Sequence, residues 1–327
     1  MRFLLRRLGF FVLTLWAALT LNFVIPRLMP GNPALAMMAR FHGRVSGNVL
    51  AALEAEFGVS TKASVWDQYW QYLGNTLTGH LGVSTTYFPQ PVTDVIRAGL
   101  PWTLGLVGIT TVLAFILGSL VGVVGGWRRG GKLDSILTPV FIVTSSVPYF
   151  WVGLMGILLF SVILGWLPSD FAYDNVLVPE LSWSFVANVL QHSILPAATI
   201  LITSIGTWIL TMRNNMVTVL AEDYVRMGRA KGLSSRRVMV DYAARNAMLP
   251  NLTGFAMSLG FVVSGAILVE YVFDYPGIGF MLLQSAENED YALMQALFLL
   301  ITVAVLLAVL AADVLTAVLD PRTRTQA

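Results

Sequence analysis

Residues 126–133 read Gly126-Trp127-Arg128-Arg129-Gly130-Gly131-Lys132-Leu133, close to the G-x-x-x-x-G-K-[ST] loop that cradles phosphates. Leu133 stands where a hydroxyl would hold magnesium, and the segment follows an apolar run instead of a strand. It reads as a basic turn, so the chain has no visible means of hydrolysing ATP by itself. The chain contains no cysteine, which removes disulfides, thiolate metal sites and cysteine nucleophiles. His42, His80 and His192 are scattered, and no nucleophile, base and ligand set clusters near any of them. A membrane enzyme is therefore disfavoured, and the chain is expected to be non-catalytic, binding no cofactor or metal of its own.

Two groups of polar residues remain. Thr144-Ser145-Ser146-Val147-Pro148 interrupts an apolar stretch. Proline frees a backbone carbonyl that nearby hydroxyls can re-satisfy, which makes this a self-satisfied kink. The alternative is a polar break lining a translocation path, with Thr144, Ser145, Ser146 and Pro148 as candidate path residues. The second group is the basic loop from about Arg213 to Pro250. It contains Asp223, Tyr224, Arg226, Arg229, Ala230, Lys231, Gly232, Leu233 and Ser234, followed by Arg245. It looks helical in two pieces broken near Gly232, with Gly232 suited to a helix C-cap and Ser234 to capping the next helix. Three readings apply: a basic segment lying on anionic lipid, a nucleic-acid contact, or a docking helix for a cytoplasmic partner. A short tethered loop lacks a base-reading platform, so nucleic acid is set aside.

The elements that must hold these residues are membrane helices. The chain of 327 residues is 56% hydrophobic and only 12% charged, whereas a soluble domain carries about 25% charged residues. Its mean hydropathy is +0.73. Six segments are long and apolar enough to cross a hydrocarbon core about 30 Å thick. They run from about Leu8 to Ile25, Pro101 to Gly125, within Ser135 to Leu164, Ile194 to Met212, Leu252 to Leu268 and Ala292 to Ala312. The first could instead be a signal peptide with Ala34-Leu35-Ala36 as its cleavage triplet. That triplet lies beyond Pro26, Pro30 and Pro33, which favours a retained helix.

Charge sets the orientation. Fifteen of the 20 basic residues fall on one side of a six-span arrangement, in the N-terminus, the loops after the second and fourth spans, and the tail. The others (Arg27, Arg40, Arg44, Lys62 and Arg97) lie in the long first outer loop. The two shorter outer loops carry Asp170, Asp174, Glu180, Glu287, Glu289 and Asp290 and no base. Both termini are expected in the cytoplasm. The organisation is a first span over 1–26, an extracytoplasmic cap over 27–100, a core over 101–320 containing the cytoplasmic loop 213–250, and a tail over 321–327. The span cores contain no ionisable residue, which disfavours a proton-driven secondary carrier. In the cap, Val65-Trp66-Asp67-Gln68-Tyr69-Trp70-Gln71-Tyr72-Leu73 and Tyr87-Phe88-Pro89-Gln90-Pro91-Val92 are rich in aromatics. Such rings stack on sugars, pack a small cap, or sit in the interfacial belt.

The basic loop also carries a resemblance. Asp223-Tyr224-Val225-Arg226, Arg229-Ala230-Lys231-Gly232-Leu233-Ser234 and Arg245-Asn246-Ala247-x-Leu249-Pro250 resemble the signature loop of binding-protein-dependent ABC importer permeases. The likeness is to the first permease subunit of the dipeptide/oligopeptide/nickel group. Met29-Pro30-Gly31-Asn32-Pro33, Tyr72-Leu73-Gly74-Asn75, His80-Leu81-Gly82, Glu270-Tyr271-Val272-Phe273, Pro276-Gly277-Ile278-Gly279, Asp313 and Leu319-Asp320-Pro321-Arg322 agree in order along the whole chain. The literal Glu-Ala-Ala of the wider superfamily is absent, with Arg226, Met227 and Gly228 in that place. The resemblance implies an all-α, type I importer permease in a bacterial or archaeal inner membrane. It implies a second homologous permease subunit, two cytoplasmic ATPase subunits holding ATP and magnesium, and an extracytoplasmic substrate-binding protein. The loop from Asp223 to Ser234, with Arg245 and Pro250, would then couple the ATPase to the membrane helices. Peptides are the default cargo, with oligosaccharides or nickel as alternatives.

Overall fold

In the computed structural model of the chain, residues 2–28, 64–180 and 182–319 are described. Met29-Pro30-Gly31-Asn32-Pro33, the Ala34-Leu35-Ala36 triplet, Arg40, His42, Arg44, Lys62 and the tail residues Asp320, Pro321, Arg322 and Arg324 lie outside the described residues. The described elements are α1 (Arg2–Leu28), α2 (Val65–Leu77), α3 (Val92–Trp127), α4 (Lys132–Ser146) and α5 (Tyr149–Ile163). There follow α6 (Trp183–Leu220), α7 (Asp223–Ala230), α8 (Arg245–Val262), α9 (Ile267–Val272), α10 (Ile278–Glu287) and α11 (Tyr291–Leu319). A lead-in of Ser235–Arg237 and the π-helical Val238–Ala244 joins α7 to α8. Among the described residues the only extended pairing is the isolated bridge Val83–Pro91.

Among the described residues, three helices are long and apolar enough to cross a membrane: α3, α6 and α11. The expected third span is not one rod. It is the pair α4 and α5, bent by 91° at Val147-Pro148. Pro148 lacks the donor that would continue α4 and biases Val147 away from helical backbone, and Val147 takes ψ 128°. The expected fifth span also differs. Expected over Leu252 to Leu268, it ends at Val262, because Gly265 turns the chain with φ +70° before α9 begins. The first expected span lies in α1, whose apolar stretch Gly9–Ile25 is shorter than the others.

The centre of the bundle is the contact between α3 and α6, and small residues make it possible. A Cβ on Gly118 would sit 2.6 Å from Trp208 Cβ. One on Gly122 would meet Ile209 O at 2.7 Å, and one on Gly126 would meet Met216 Cβ at 2.5 Å. Spacing of four residues puts these three glycines on one face, so the two helices approach closely over about two turns. At the Gly126 end of this seam Arg213 grips Asp134 through two parallel bonds, Nε to Oδ1 at 2.7 Å and Nη2 to Oδ2 at 2.8 Å. Gly130 N–H donates to the same carboxylate at 3.0 Å, which fixes the basic turn between α3 and α4. Antiparallel to α1 lies α11. Arg7 pairs with Asp313 at one end and Asn22 donates to Gln295 O at the other, so the start of α1 and the end of α11 share a side.

The opposite end is closed by two buried acids. Glu270 is fully buried and accepts from Thr103 Oγ1 (2.9 Å), Gly279 N–H (2.7 Å) and Phe280 N–H (3.1 Å), while Thr103 Oγ1 accepts from Ile278 N–H (2.7 Å). One carboxylate thereby satisfies the otherwise orphaned donors at the start of α10 and ties that helix to α3. Asp290 does the same for α11, accepting from Leu293 N–H (3.1 Å) and from Thr86 N–H of the 83–91 loop (2.9 Å). Around the bundle, Ile109, Leu120, Ile136, Val143 and Val162 are largely exposed. Apolar surface on that scale belongs against lipid.

Candidate functional site: the basic elbow

The basic loop folds as a short helix stopped and turned at a fixed point. Helix α7 carries Asp223 in its first turn and Arg229 in its last, each at the end where the helix dipole favours that charge. Gly232 takes φ +73°, in the left-handed region. Leu233 N–H donates to Gly228 O (3.3 Å) and Gly232 N–H to Arg229 O (2.9 Å), the paired bonds of a Schellman stop. The break expected near Gly232 is therefore where the structure places it, with Lys231 as the last cap position. Ser234 differs from expectation in one respect. It occupies the N-cap position of the next helical piece with extended backbone, but its hydroxyl makes no capping bond. Its carbonyl instead receives Val238 N–H at 3.0 Å.

The elbow has a buried back and an exposed front. Val225 and Gly228, three residues apart, are the buried positions of α7. Gly228 lies against the Tyr242 ring, which a Cβ there would meet at 3.6 Å. Behind them Met212, Met216, Ala243 and Ala247 form a core cluster, joined by Val123, Trp127, Val219 and Met239 from α3, α6 and the lead-in. The Arg229 guanidinium lies 5.3 Å from the Trp127 ring centroid, a cation–π contact to the end of α3. The elbow is thus in contact with the glycine-packed seam of α3 and α6 through Trp127 and the methionine cluster. Asp223, Tyr224, Arg226, Ala230, Lys231 and Gly232 are exposed, and Leu233 is half-buried. Arg226 and Asp223 pair at 3.5 Å on the outer face. Arg245 and Pro250 lie exposed on α8, a helix and a π-turn away from α7. Next to Pro250, Asn251 is buried and donates to Ser119 Oγ of α3 at 3.1 Å.

Sequence reasoning missed Met227. It is 56% exposed and sits between Asp223 and Ala230 on the outward face, where a large apolar side chain has no core to join. The available signal was its position: an apolar residue flanked by charges on the face opposite Val225. Asp134 was also missed, because nothing local couples it to Arg213, 79 positions away.

The candidate path residues lie at the bend between α4 and α5. Ser145 donates to Phe141 O (2.7 Å), Ser146 to Ile142 O (2.7 Å) and Thr144 to Phe141 O (3.4 Å). These hydroxyls satisfy the carbonyls of the last α4 turn, as a self-contained kink requires. Ser145, Ser146 and Pro148 are exposed in the single chain, and Thr144 is half-buried.

Residues 111–325 match the family described as binding-protein-dependent transport system inner membrane component, a stretch that contains the elbow, all of α6 and the later part of α3. The chain belongs to this permease family. It is similar to a di/tripeptide transport system permease protein of Pseudomonas aeruginosa, 35% identical over 99% of each chain. An oligopeptide transport system permease protein of Bacillus subtilis is 33% identical over 92% of each chain. A dipeptide transport system permease protein of Escherichia coli is 32% identical over 99% of each. The protein is thus an integral membrane permease subunit of an importer that works with a binding protein and an ATPase. As in its relatives, the part it plays is transport.

Proposed function

We propose that the permease forms half of a translocation path for di- or oligopeptides, paired with a second, homologous permease subunit. Two cytoplasmic ATPase subunits, which carry the ATP and magnesium, grip α7, and Asp223 to Ser234 transmit their movement to the membrane helices. The reading rests on one observation above all: α7 is a capped helix with an exposed charged and apolar face, backed by a buried methionine cluster that runs into α3 and α6. Met227 supplies the apolar contact and Asp223, Arg226 and Arg229 the register. Closure of the ATPases on ATP moves both elbows, and the paired permeases exchange inward-open for outward-open states by a population shift. A loaded binding protein then releases cargo into the path. Peptides are proposed as cargo because the relatives named above are peptide transport permeases.

The test uses the absence of native cysteine. A Met227→Cys chain in the assembled complex is expected to cross-link to a cysteine placed in the ATPase groove, with an efficiency that changes on ATP binding. Failure of any elbow position to cross-link, while the ATPase still co-purifies elsewhere on the chain, would overturn the docking role. Binding assays with the partner receptor decide the cargo, with oligosaccharide or nickel binding in place of peptide as the contrary outcome.

A further inference from the structure

Helix α2 follows the first span in the extracytoplasmic part of the chain, and its surface is divided into three stripes. Tyr69 and Tyr72 face α1: the Tyr69 ring packs edge-on to Phe23 at 5.2 Å, its hydroxyl lies 2.8 Å from Thr20 Oγ1, and the Tyr72 hydroxyl accepts from Asn22 at 3.2 Å. Asp67, Gln71, Gly74 and Thr78, at helical spacing, form an exposed polar stripe. Between the two runs a third stripe of Trp66, Trp70 and Leu77. These side chains are 72%, 65% and 82% exposed, in a helix that has only one acid and no base.

Two geometric facts tell what covers that stripe. The first is depth. Thr20 and Asn22 lie inside the apolar stretch Gly9–Ile25 of α1. Thr20 is five residues short of its end, about 7 Å below it at about 1.5 Å per residue. An element that touches α1 there lies at the level of the headgroup–acyl boundary. The second is direction. Gln68 accepts at 3.3 Å from Arg27, whose guanidinium is folded over the outer side of Phe23 at 3.6 Å, whereas the next residue, Tyr69, reaches inward to Thr20. Neighbouring residues on a helix are about 100° apart. Turning from Gln68 through Tyr69 to Trp70 therefore carries the surface from the aqueous side past α1 and down into the bilayer. Trp66 and Leu77, four residues before and seven after Trp70, point the same way. The outer half of α1 is itself apolar and exposed at Leu21, Val24 and Ile25.

We infer that α2 is an interfacial anchor: it lies in the outer leaflet with Trp66, Trp70 and Leu77 inserted among lipid acyl chains and its polar stripe in water. Indole rings favour this depth, and amphipathic helices bury their apolar face about 5–10 Å into the boundary. Because α2 carries no basic residue, insertion depends on apolar area and not on anionic headgroups. The anchor holds the outer end of α1 at a fixed depth and fixes the take-off of the chain toward α3.

The experiment places single cysteines at Trp70→Cys, Leu77→Cys and, on the polar stripe, Gln71→Cys in the cysteine-free chain. Each is labelled with an environment-sensitive fluorophore in the complete transporter in lipid nanodiscs. Doxyl-labelled lipids are expected to quench the labels at 70 and 77 at least threefold more than the label at 71. Aqueous iodide is expected to show the reverse order. Lipid quenching should be unchanged when anionic lipid is replaced by zwitterionic lipid. Iodide quenching at 70 and 77 equal to that at 71 would overturn the inference. Protection of 70 and 77 from both quenchers would also overturn it, by showing that protein covers the stripe, either residues 29–63 or a docked partner.

Discussion

Gly232 offers the sharpest test of how the elbow works. Its φ of +73° is costly for any side chain, yet a Cβ there would have nothing within 4 Å. A substitution therefore acts through the backbone alone. A residue with a Cβ loses about 1–2 kcal/mol in this conformation, Asn less, and β-branched residues the most. If the capped form is the one that docks, a loss of that size lowers its population against the frayed form about 5- to 30-fold. The series Gly232→Asn, Gly232→Ala and Gly232→Val should then raise the ATP hydrolysed per peptide imported in that order, in proteoliposomes containing the complete complex. Assembly should survive, because Val225 and Gly228 still hold the back of α7. Wild-type coupling in the Val variant would refute the reasoning. So would an Asn variant as damaged as Val, since that would point to side-chain contact in place of backbone strain.

Three further outcomes follow from the packing. Gly122→Val forces a side chain into the 2.7 Å gap to Ile209 O, and overpacking of about 1–3 kcal/mol should lower the thermal unfolding midpoint of the purified complex; an unchanged midpoint would deny the close α3–α6 seam. Arg213→Met leaves Asp134, whose side chain is 7% exposed, without its partner. The loss should approach about 3 kcal/mol, with Asp134→Asn in the same chain recovering most of it, and thermal scans of the single and double variants measure the recovery. Replacing Ser145 or Ser146 with Leu should reduce uptake at unchanged expression if the bend faces the path; normal uptake would leave them as kink residues only.

Much of the architecture was legible because single-residue rules governed it. Apolar length marked α3, α6 and α11, and the glycine between two charged helical stretches marked the elbow stop. What was not legible depended on distant partners. Pro148 announced a break, but the 91° turn follows from where α5 packs, on α6 and α9. The apolar run 252–268 looked continuous because Gly265 is a weak signal alone. Its turn is fixed by Glu270, whose carboxylate leaves no space for a Cβ there, the nearest oxygen being 2.7 Å away. Glu270 stood in the sequence only as part of the Glu270-Tyr271-Val272-Phe273 motif; the fold shows it buried with Thr103 and the start of α10. The aromatic segment 65–73 left three uses open, and the structure divides it, with Tyr69 and Tyr72 packed on α1 and Trp66 and Trp70 turned outward.

The central claim is that this chain is a gated conduit moved by a separate motor at its cytoplasmic elbow. Uptake of labelled peptide into proteoliposomes measures it most directly, comparing the complete complex with the permease pair lacking its ATPases. Uptake that requires the ATPases and ATP, and that persists after any ion gradient is collapsed, is the predicted result. Transport by the permeases alone, or transport abolished by collapsing a gradient while ATP is present, would contradict it.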